Sequence, residues 1–255
     1  MPSTTFDFKQ FTIHQDRCAM KVGTDGVLLG AWASGGSTIL DIGAGTGLIA
    51  LMMAQRFANA AITAVEIDTE AARQCHENFA ASPWSDRLRI LPHSLADAEP
   101  MLEGLTFDSI VSNPPFYNAT LKPDDPGRAV ARHKDALPID QIASFAQRHL
   151  APQGTLSLIY PTAYDTEVMT ACILHQLQPV RLCDVLTKQG KPSKRRMAAF
   201  ALQYSAASQP SAASQPSPAL QPLVREQLSI RNSEGLYSPE YLHLVNDFYL
   251  TLKNA

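Results

Sequence analysis

The stretch Thr38-Ile39-Leu40-Asp41-Ile42-Gly43-Ala44-Gly45-Thr46-Gly47 decides the fold of this chain. Its first half is a short apolar run that predicts a buried strand. Its second half is a glycine-rich turn, in which the backbone can approach a ligand and helix N–H groups can point at it. The glycine spacing is GxGxG, with Leu48 where the third glycine of a GxGxxG fingerprint would fall. Because no GK[ST] sequence follows either, a nicotinamide dinucleotide is the weaker interpretation and a nucleotide-triphosphate loop is excluded.

Strand-like runs and amphipathic helical stretches alternate from this turn onward. The predicted strands are Thr38–Ile42, Ala61–Ile67, Leu88–Leu91, Phe107–Ser112, Thr155–Tyr160, Val180–Thr187 and Met197–Tyr204. The predicted helices lie near Gly47–Phe57, Thr69–Ala80, Pro138–Leu150 and Ala163–Gln176. This alternation predicts an α/β fold with a doubly wound, mostly parallel, seven-stranded Rossmann-like sheet.

A low-complexity segment interrupts the alternation. The hexapeptide AASQPS occurs twice in tandem, at 206–211 and 212–217, and residues 205–222 hold too few apolar groups to offset the entropy of ordering. We expect a flexible surface loop there. Residues 223–255 predict one extra C-terminal strand and one helix, too little for a core of their own. The sequence therefore predicts a single domain over 1–255, with an N-terminal segment of 1–37 and a core of 38–204.

The bulk composition narrows the kind of protein. The chain has 255 residues, 45% of them hydrophobic, yet no stretch approaches the ~18 apolar residues of a membrane span. The N-terminus lacks the apolar segment of a secretion signal. Four scattered cysteines form no CxxC pair and no metal-ligand spacing, which indicates reduced thiols, a cytoplasmic protein and no metal site. A net charge of −3 restricts any nucleic-acid contact to local basic patches.

A second signal follows the apolar run Phe107–Ser112. The run ends in Asn113-Pro114-Pro115-Phe116, and two consecutive prolines can continue neither a strand nor a helix interior. They predict a stiff, extended exit from the sheet at the carboxyl end of a strand, where open α/β sheets bind ligands. An amide, backbone carbonyls and a ring at one place can hold a planar group that bears an amine.

An acidic residue follows the next strand. The segment Val65-Glu66-Ile67-Asp68 places Glu66 at the strand tip, 19 positions after Gly47. A carboxylate there can accept hydrogen bonds from ribose hydroxyls.

These motifs carry a family resemblance. The pattern DxGxGxG at 41–47, together with Glu66, resembles the S-adenosylmethionine site of class I methyltransferases. The NPPF motif at 113–116 resembles the Asn-Pro-Pro-aromatic motif of the enzymes that methylate amino nitrogens of planar substrates. The resemblance implies that Asp41 lies near the methionine end of the cofactor and that Glu66 holds its ribose. Where many such enzymes have an Asp that contacts the adenine, this chain has Ser94, so that contact falls to Ser94 with the Leu95 backbone, or to Asp97.

The NPPF motif also suggests how the reaction proceeds. An exocyclic amine is a poor nucleophile because its lone pair is delocalised into the ring. The Asn113 side-chain oxygen and the Pro114 carbonyl can accept hydrogen bonds from its protons and stabilise the positive charge that develops. Phe116 would stack on the base and Tyr117 would frame its edge. A base inside an RNA stack must be flipped out to reach such a pocket.

The N-terminal residues indicate which amine is methylated. Residues Phe8–Phe11 and Arg17–Trp32 are similar to the bacterial valine-tRNA adenine-N6 methyltransferases, which modify adenine 37 beside the anticodon. This resemblance implies S-adenosylmethionine as the cofactor and tRNA as the partner. It also implies that Lys21, Thr24 and Asp25 belong to a segment that closes over the cofactor. Thr24 and Asp25 equally predict the cap of a helix that begins near Gly26 or Val27.

Two basic clusters are candidates for contact with tRNA phosphates. The first comprises Lys188, Lys191, Lys194, Arg195 and Arg196, in a predicted loop between two strands. The second comprises Arg128, Arg132, His133 and Lys134, after the NPPF motif.

Three other functions compete with this interpretation. A glutamine-amide methyltransferase would carry a helical N-terminal domain, whereas only 37 residues precede Thr38. A guanine-N2 rRNA methyltransferase shares the catalytic motif. A non-enzymatic, cofactor-binding scaffold would need the NPPF motif broken, and it is intact.

Overall fold

The computed structural model describes residues 3–116, 137–203 and 222–252. The predicted site residues Tyr117 and Arg132, the second basic cluster and all but the last residue of the Ser/Pro/Gln loop lie outside these ranges.

The described chain alternates strands and helices. The strands are β1 Thr5–Asp7, β2 Thr12–His14, β3 Thr38–Ile42, β4 Ala61–Val65, β5 Leu88–Leu91, β6 Phe107–Ser112, β7 Leu150–Pro161, β8 Leu177–Leu186, β9 Arg195–Leu202 and β10 Val224–Ser229. The helices are α1 Thr24–Trp32, α2 Leu48–Arg56, α3 Thr69–Ala80, α4 Leu95–Ala98, α5 Ile139–His149, α6 Asp165–Leu174 and α7 Pro239–Val245.

Eight of these strands form one sheet in the order β10-β8-β9-β7-β6-β3-β4-β5. All neighbouring pairs are parallel except those that β9 makes with β7 and β8. The predicted α/β, doubly wound, mostly parallel sheet is therefore confirmed. The extra C-terminal strand β10 also joins it, in parallel with β8 at the edge.

Apolar side chains cover both faces of the sheet. Along β3, Ile39 belongs to the core beneath α1, α2 and α7, whereas its neighbour Leu40 belongs to the core beneath α5 and α6. This alternation follows from the two-residue period of a strand. Both faces are buried, as parallel sheets require.

The strand register aligns the carboxyl ends of the central strands. Ile42, the last residue of β3, pairs with Val65 of β4 on one side and with Ser112 of β6 on the other. The next residues of the three strands are Gly43, Glu66 and Asn113. The chain proceeds from β3 towards β4 but places β6 on the opposite side, so the gap between β3 and β6 is the switch point where such sheets bind ligands.

Several predicted boundaries change in the structure. An N-terminal hairpin, β1–β2, and the short helix α4 were not predicted. Helix α1 begins at Thr24 with Gly23 as its N-cap and no side-chain capping bond, so the predicted cap role of Thr24 and Asp25 is wrong. Strand β9 already begins at Arg195, which places Arg195 and Arg196 in the sheet rather than in the loop.

Candidate active site

Two adjoining cavities open at the carboxyl edge of the central strands. The first, of about 400 Å³, includes Glu66 and Ser94 in its wall. The second, of about 440 Å³, includes Phe116 and Arg195. Among the described residues, both cavities are lined by Met20, Gly43, Gly45, Asn113 and Pro115. Volumes of this size suit small ligands, and the shared wall lets groups bound in the two cavities meet beside Asn113.

Most predicted site residues of the described chain come together here. The cavities are lined by Lys21, Thr24, Asp25, Gly43, Gly45, Glu66, Ser94, Leu95, Asn113, Pro114, Pro115, Phe116 and Arg195. Of the predicted site residues that the structure describes, Asp41, Gly47, Lys194 and Arg196 line neither cavity.

The glycine turn is held by Glu66. The Gly45 N–H donates to Glu66 Oε2 at 2.8 Å, and the Asp68 N–H donates to Oε1 at 2.9 Å. Each carboxylate oxygen retains accepting capacity beyond one hydrogen bond. Gly43 and Gly45 have φ values of +72° and +54°, which favour glycine. Glu66 thus fixes the turn and still borders the first cavity.

Gly47 has a packing role in addition to its predicted place in the cofactor turn. Its φ is +82°, and a Cβ atom there would lie 2.6 Å from Phe79 Cε1 and 2.8 Å from Cys75 Sγ. The absent side chain lets the start of α2 pack closely against α3.

Asp41 is completely buried behind the glycine turn. Its Oδ2 accepts the Ala50 N–H at 3.1 Å, while its Oδ1 has no hydrogen-bond partner in the described part of the chain. Burial raises the pKa of Asp41 to about 7, because a charged carboxylate is costly away from water. Asp41 therefore joins the end of β3 to the first turn of α2.

Ser94 and Asp97 are bonded to each other. The Ser94 hydroxyl donates to Asp97 Oδ2 at 2.6 Å and accepts the Asp97 N–H at 3.1 Å, which makes Ser94 the N-cap of α4. Of the two candidates for adenine contact, only Ser94 lines the first cavity.

Aromatic side chains support the NPPF motif. The Phe116 ring lies 4.9 Å from the Tyr164 ring and 6.1 Å from the Tyr160 ring, between centroids. Tyr160 donates its hydroxyl to Asp165 at 3.0 Å, and burial raises the pKa of this hydroxyl well above its usual range, so it stays protonated. Sequence reasoning missed Tyr160, Tyr164 and Asp165, because β7 brings them here only through its pairing with β6.

An ion pair lies in the wall of the second cavity. Arg195 Nε lies 2.5 Å from Asp25 Oδ1, although the N–H is not directed at the oxygen. The pair joins the first turn of α1 to the start of β9.

Comparison with known proteins identifies the family. A model of the methyltransferase small domain matches residues 23–184, more than half of the chain. This chain belongs to the methyltransferase small domain family. A relative from Phocaeicola vulgatus, named tRNA1(Val) (adenine(37)-N6)-methyltransferase, is 42% identical over 99% of this chain and all of its own length. A relative of the same name from Aeromonas hydrophila is 39% identical over 97% of this chain and 98% of its own length. The chain is therefore also a member of that methyltransferase group, which confirms the resemblance found in the sequence.

Solved structures support the methyltransferase fold. A predicted O-methyltransferase from Agrobacterium tumefaciens has a TM-score of 0.59 at 18% identity, over 91% of this chain and 100% of its own. The CcbJ methyltransferase from Streptomyces caelestis has a TM-score of 0.52 at 13% identity, over 74% of this chain and 96% of its own. At these identities the likeness concerns the fold alone.

Arg196 forms ion pairs with two carboxylates of the protein itself. It lies 2.7 Å from Asp165 and 2.8 Å from Asp184, and its hydrogen bonds to Asp184 and Asp165 raise the pKa of the guanidinium. Held between two carboxylates, with 17% of its side chain exposed, Arg196 is a poor candidate for phosphate contact. Lys191 and Lys194, by contrast, are exposed in the β8–β9 loop.

Neither a metal cluster nor a membrane span is found in the described part of the chain. Among its residues, no group of three or more His, Cys, Asp or Glu side chains is placed to hold a metal ion. No helix within the described ranges is long and apolar enough to cross a membrane.

Proposed function

We propose that this methyltransferase transfers the methyl group of S-adenosylmethionine to N6 of adenine 37 in valine tRNA. The observation that carries the proposal is the strand register, which puts Gly43, Glu66 and Asn113 side by side at the switch point. The relatives that match nearly the whole chain, and whose name states this reaction, supply the substrate.

The first cavity suits the adenosine part of the donor. Its wall combines the Glu66 carboxylate, which can accept hydrogen bonds from ribose hydroxyls, with apolar surface from Val65, Ile67 and Leu95. Ile67 is 51% exposed although it is large and apolar, as expected of a residue that a flat ring covers. S-adenosylmethionine, when bound, supplies a methyl group activated by a sulfonium centre.

The second cavity suits the target base. Asn113 and Pro114 border it and can accept hydrogen bonds from the two protons of an exocyclic amine. These bonds favour a tetrahedral nitrogen and strengthen as positive charge develops on it, so they stabilise the transition state more than the ground state. Phe116, supported by Tyr164, can stack on the base. This arrangement requires no general base with a shifted pKa.

The exposed lysines near this opening are candidates for the RNA backbone. Lys21 lines the second cavity, and Lys191 and Lys194 lie in the loop that precedes Arg195. Phosphate contacts orient a nucleic acid without reading its sequence, so these residues would hold the anticodon arm while the pocket selects the base.

The proposal is tested by identifying the methylated nucleoside. The protein is incubated with labelled S-adenosylmethionine and a valine-tRNA transcript, which is then digested to nucleosides. We expect N6-methyladenosine from the wild-type transcript and none from a transcript in which adenine 37 is replaced by guanosine. N2-methylguanosine, or label only in added protein substrates, would overturn the assignment.

A further inference from the structure

The N-terminal strap, residues 14–22, forms one side of both cavities. Cys18 and Ala19 line the first cavity, Lys21 lines the second and Met20 lines both. Ala19, Met20 and Lys21 are exposed, Met20 by 57%, whereas Cys18 is buried and Val22 packs against the core. Besides these two apolar contacts, the strap is held by hydrogen bonds.

Two buried amide side chains of α3 supply those contacts. Asn78, 1% exposed, accepts the His14 N–H at 2.9 Å through Oδ1. Its Nδ2 donates to the His14 carbonyl at 3.0 Å and to the Thr46 carbonyl of the glycine turn at 2.9 Å. Asn78 thereby connects the start of the strap to the glycine turn.

Gln74 lies one helical turn earlier and is fully buried. Its Oε1 accepts the Arg17 N–H at 3.1 Å, and its Nε2 donates to Asp16 Oδ1 at 2.6 Å. The strap also carries an internal bond, in which the Val22 N–H donates to Gln15 Oε1 at 2.8 Å. Thus successive strap residues are fastened to one face of a single helix.

We propose that Gln74 and Asn78 are positioning residues that fix the strap over the methyl-donor cavity and thereby set how long the donor stays bound. The inference rests on the proposed function only for the identity of the donor. Buried amides suit this role, because breaking a hydrogen bond in the interior leaves its partner unsatisfied. An exposed ion pair between Arg17 of the strap and Glu77 of the same helix, at 2.8 Å, supplies a contact that water can replace.

The test removes the hydrogen bond between Gln74 and Asp16 and then restores it with the donor and the acceptor exchanged. Gln74→Glu keeps the acceptor for the Arg17 N–H but places a second carboxylate against Asp16. We expect the Kd of S-adenosylhomocysteine to rise about tenfold through faster dissociation, because one partly buried hydrogen bond is lost and two carboxylates face each other. The KM for S-adenosylmethionine should rise in parallel, while kcat at saturating donor changes by less than about threefold. Adding Asp16→Asn to this variant restores a donor opposite the introduced carboxylate and should return the Kd to within about threefold of wild type.

Two further variants keep the test decisive. Asp16→Ala removes the same bond from the exposed strap and keeps Gln74 in the core, and we expect a Kd increase of about threefold. Glu77→Gln, on the same helix, should leave the Kd unchanged. A Gln74→Glu protein that melts earlier but binds the product with wild-type Kd and dissociation rate would show a merely structural role and overturn the inference. Failure of the wild-type protein to bind S-adenosylhomocysteine would instead reject the proposed donor.

Discussion

At the scale of single residues, Asn113 stands where the two cavities meet. It follows Ser112 at the end of β6, and Pro114 and Pro115 fix the direction in which the backbone leaves the sheet. The residue can therefore contact a base without being needed for the fold. This separation of roles makes its substitution informative.

We expect Asn113→Ala to fold normally and to lose methyl transfer. Removing one preorganised acceptor from a transition state costs about 10²–10³-fold in kcat. Single-turnover rates with valine tRNA measure the loss, and binding of S-adenosylhomocysteine with the thermal midpoint serves as the control. Turnover near the wild-type level would exclude Asn113 from catalysis.

Asp41 predicts a pH-dependent stability. Its pKa of about 7 in the folded protein exceeds that of an unfolded aspartate, so between these values the folded state holds a proton that the unfolded state has lost. The free energy of unfolding attributable to this group is thus greatest at low pH and falls as the pH rises towards 7, by up to about 1.4 kcal/mol per pH unit.

The check compares urea unfolding of the wild-type protein and Asp41→Asn from pH 5 to pH 8. Asparagine retains an acceptor for the Ala50 N–H but carries no proton to lose. The variant should therefore gain stability relative to wild type as the pH rises. A constant difference across this range would contradict the burial-driven shift.

At the scale of elements, the turn between β3 and α2 depends on close packing against α3. Gly47 and Gly190 have similar φ values, +82° and +79°, but only Gly47 has atoms near its missing Cβ; nothing lies within 4 Å at Gly190. The two positions therefore separate backbone strain from steric overlap.

We expect Gly190→Ala to cost about 1 kcal/mol, the strain of a left-handed residue. Gly47→Ala should cost about 3 kcal/mol, because Phe79 and Cys75 must also move. Urea denaturation measures both values. Equal losses would mean that the contact with α3 is unimportant.

At the scale of the whole molecule, the charge distribution limits how RNA can bind. The chain carries a net charge of −3, so attraction to phosphate must come from local groups such as Lys191 and Lys194. Arg148 is a suitable control for these lysines. It is exposed near the end of α5, just before β7 begins, and therefore lies at the edge of the sheet opposite the β8–β9 loop.

Charge reversal tests this distribution. Lys191→Glu with Lys194→Glu should weaken tRNA binding and reduce the slope of log K against log salt by about 0.7 for each phosphate that the protein no longer neutralises. Arg148→Glu, a single reversal at the opposite edge of the sheet, should leave the slope unchanged. An unaltered slope in the double variant would remove the β8–β9 loop from the RNA interface.

Features that depend on neighbouring residues were predictable from the amino-acid sequence. The strand, glycine turn and helix around 38–56, the exit at Asn113 and the acidic strand tip at Glu66 were all predicted, because turn chemistry and apolar periodicity act over a few positions. The contacts between residues far apart in the chain became known from the folded structure. Arg196 lies between Asp165 and Asp184, Gly47 packs on α3, and Gln74 and Asn78 hold the strap. These contacts depend on strand order, register and helix packing, which join residues far apart in the chain and leave no local pattern.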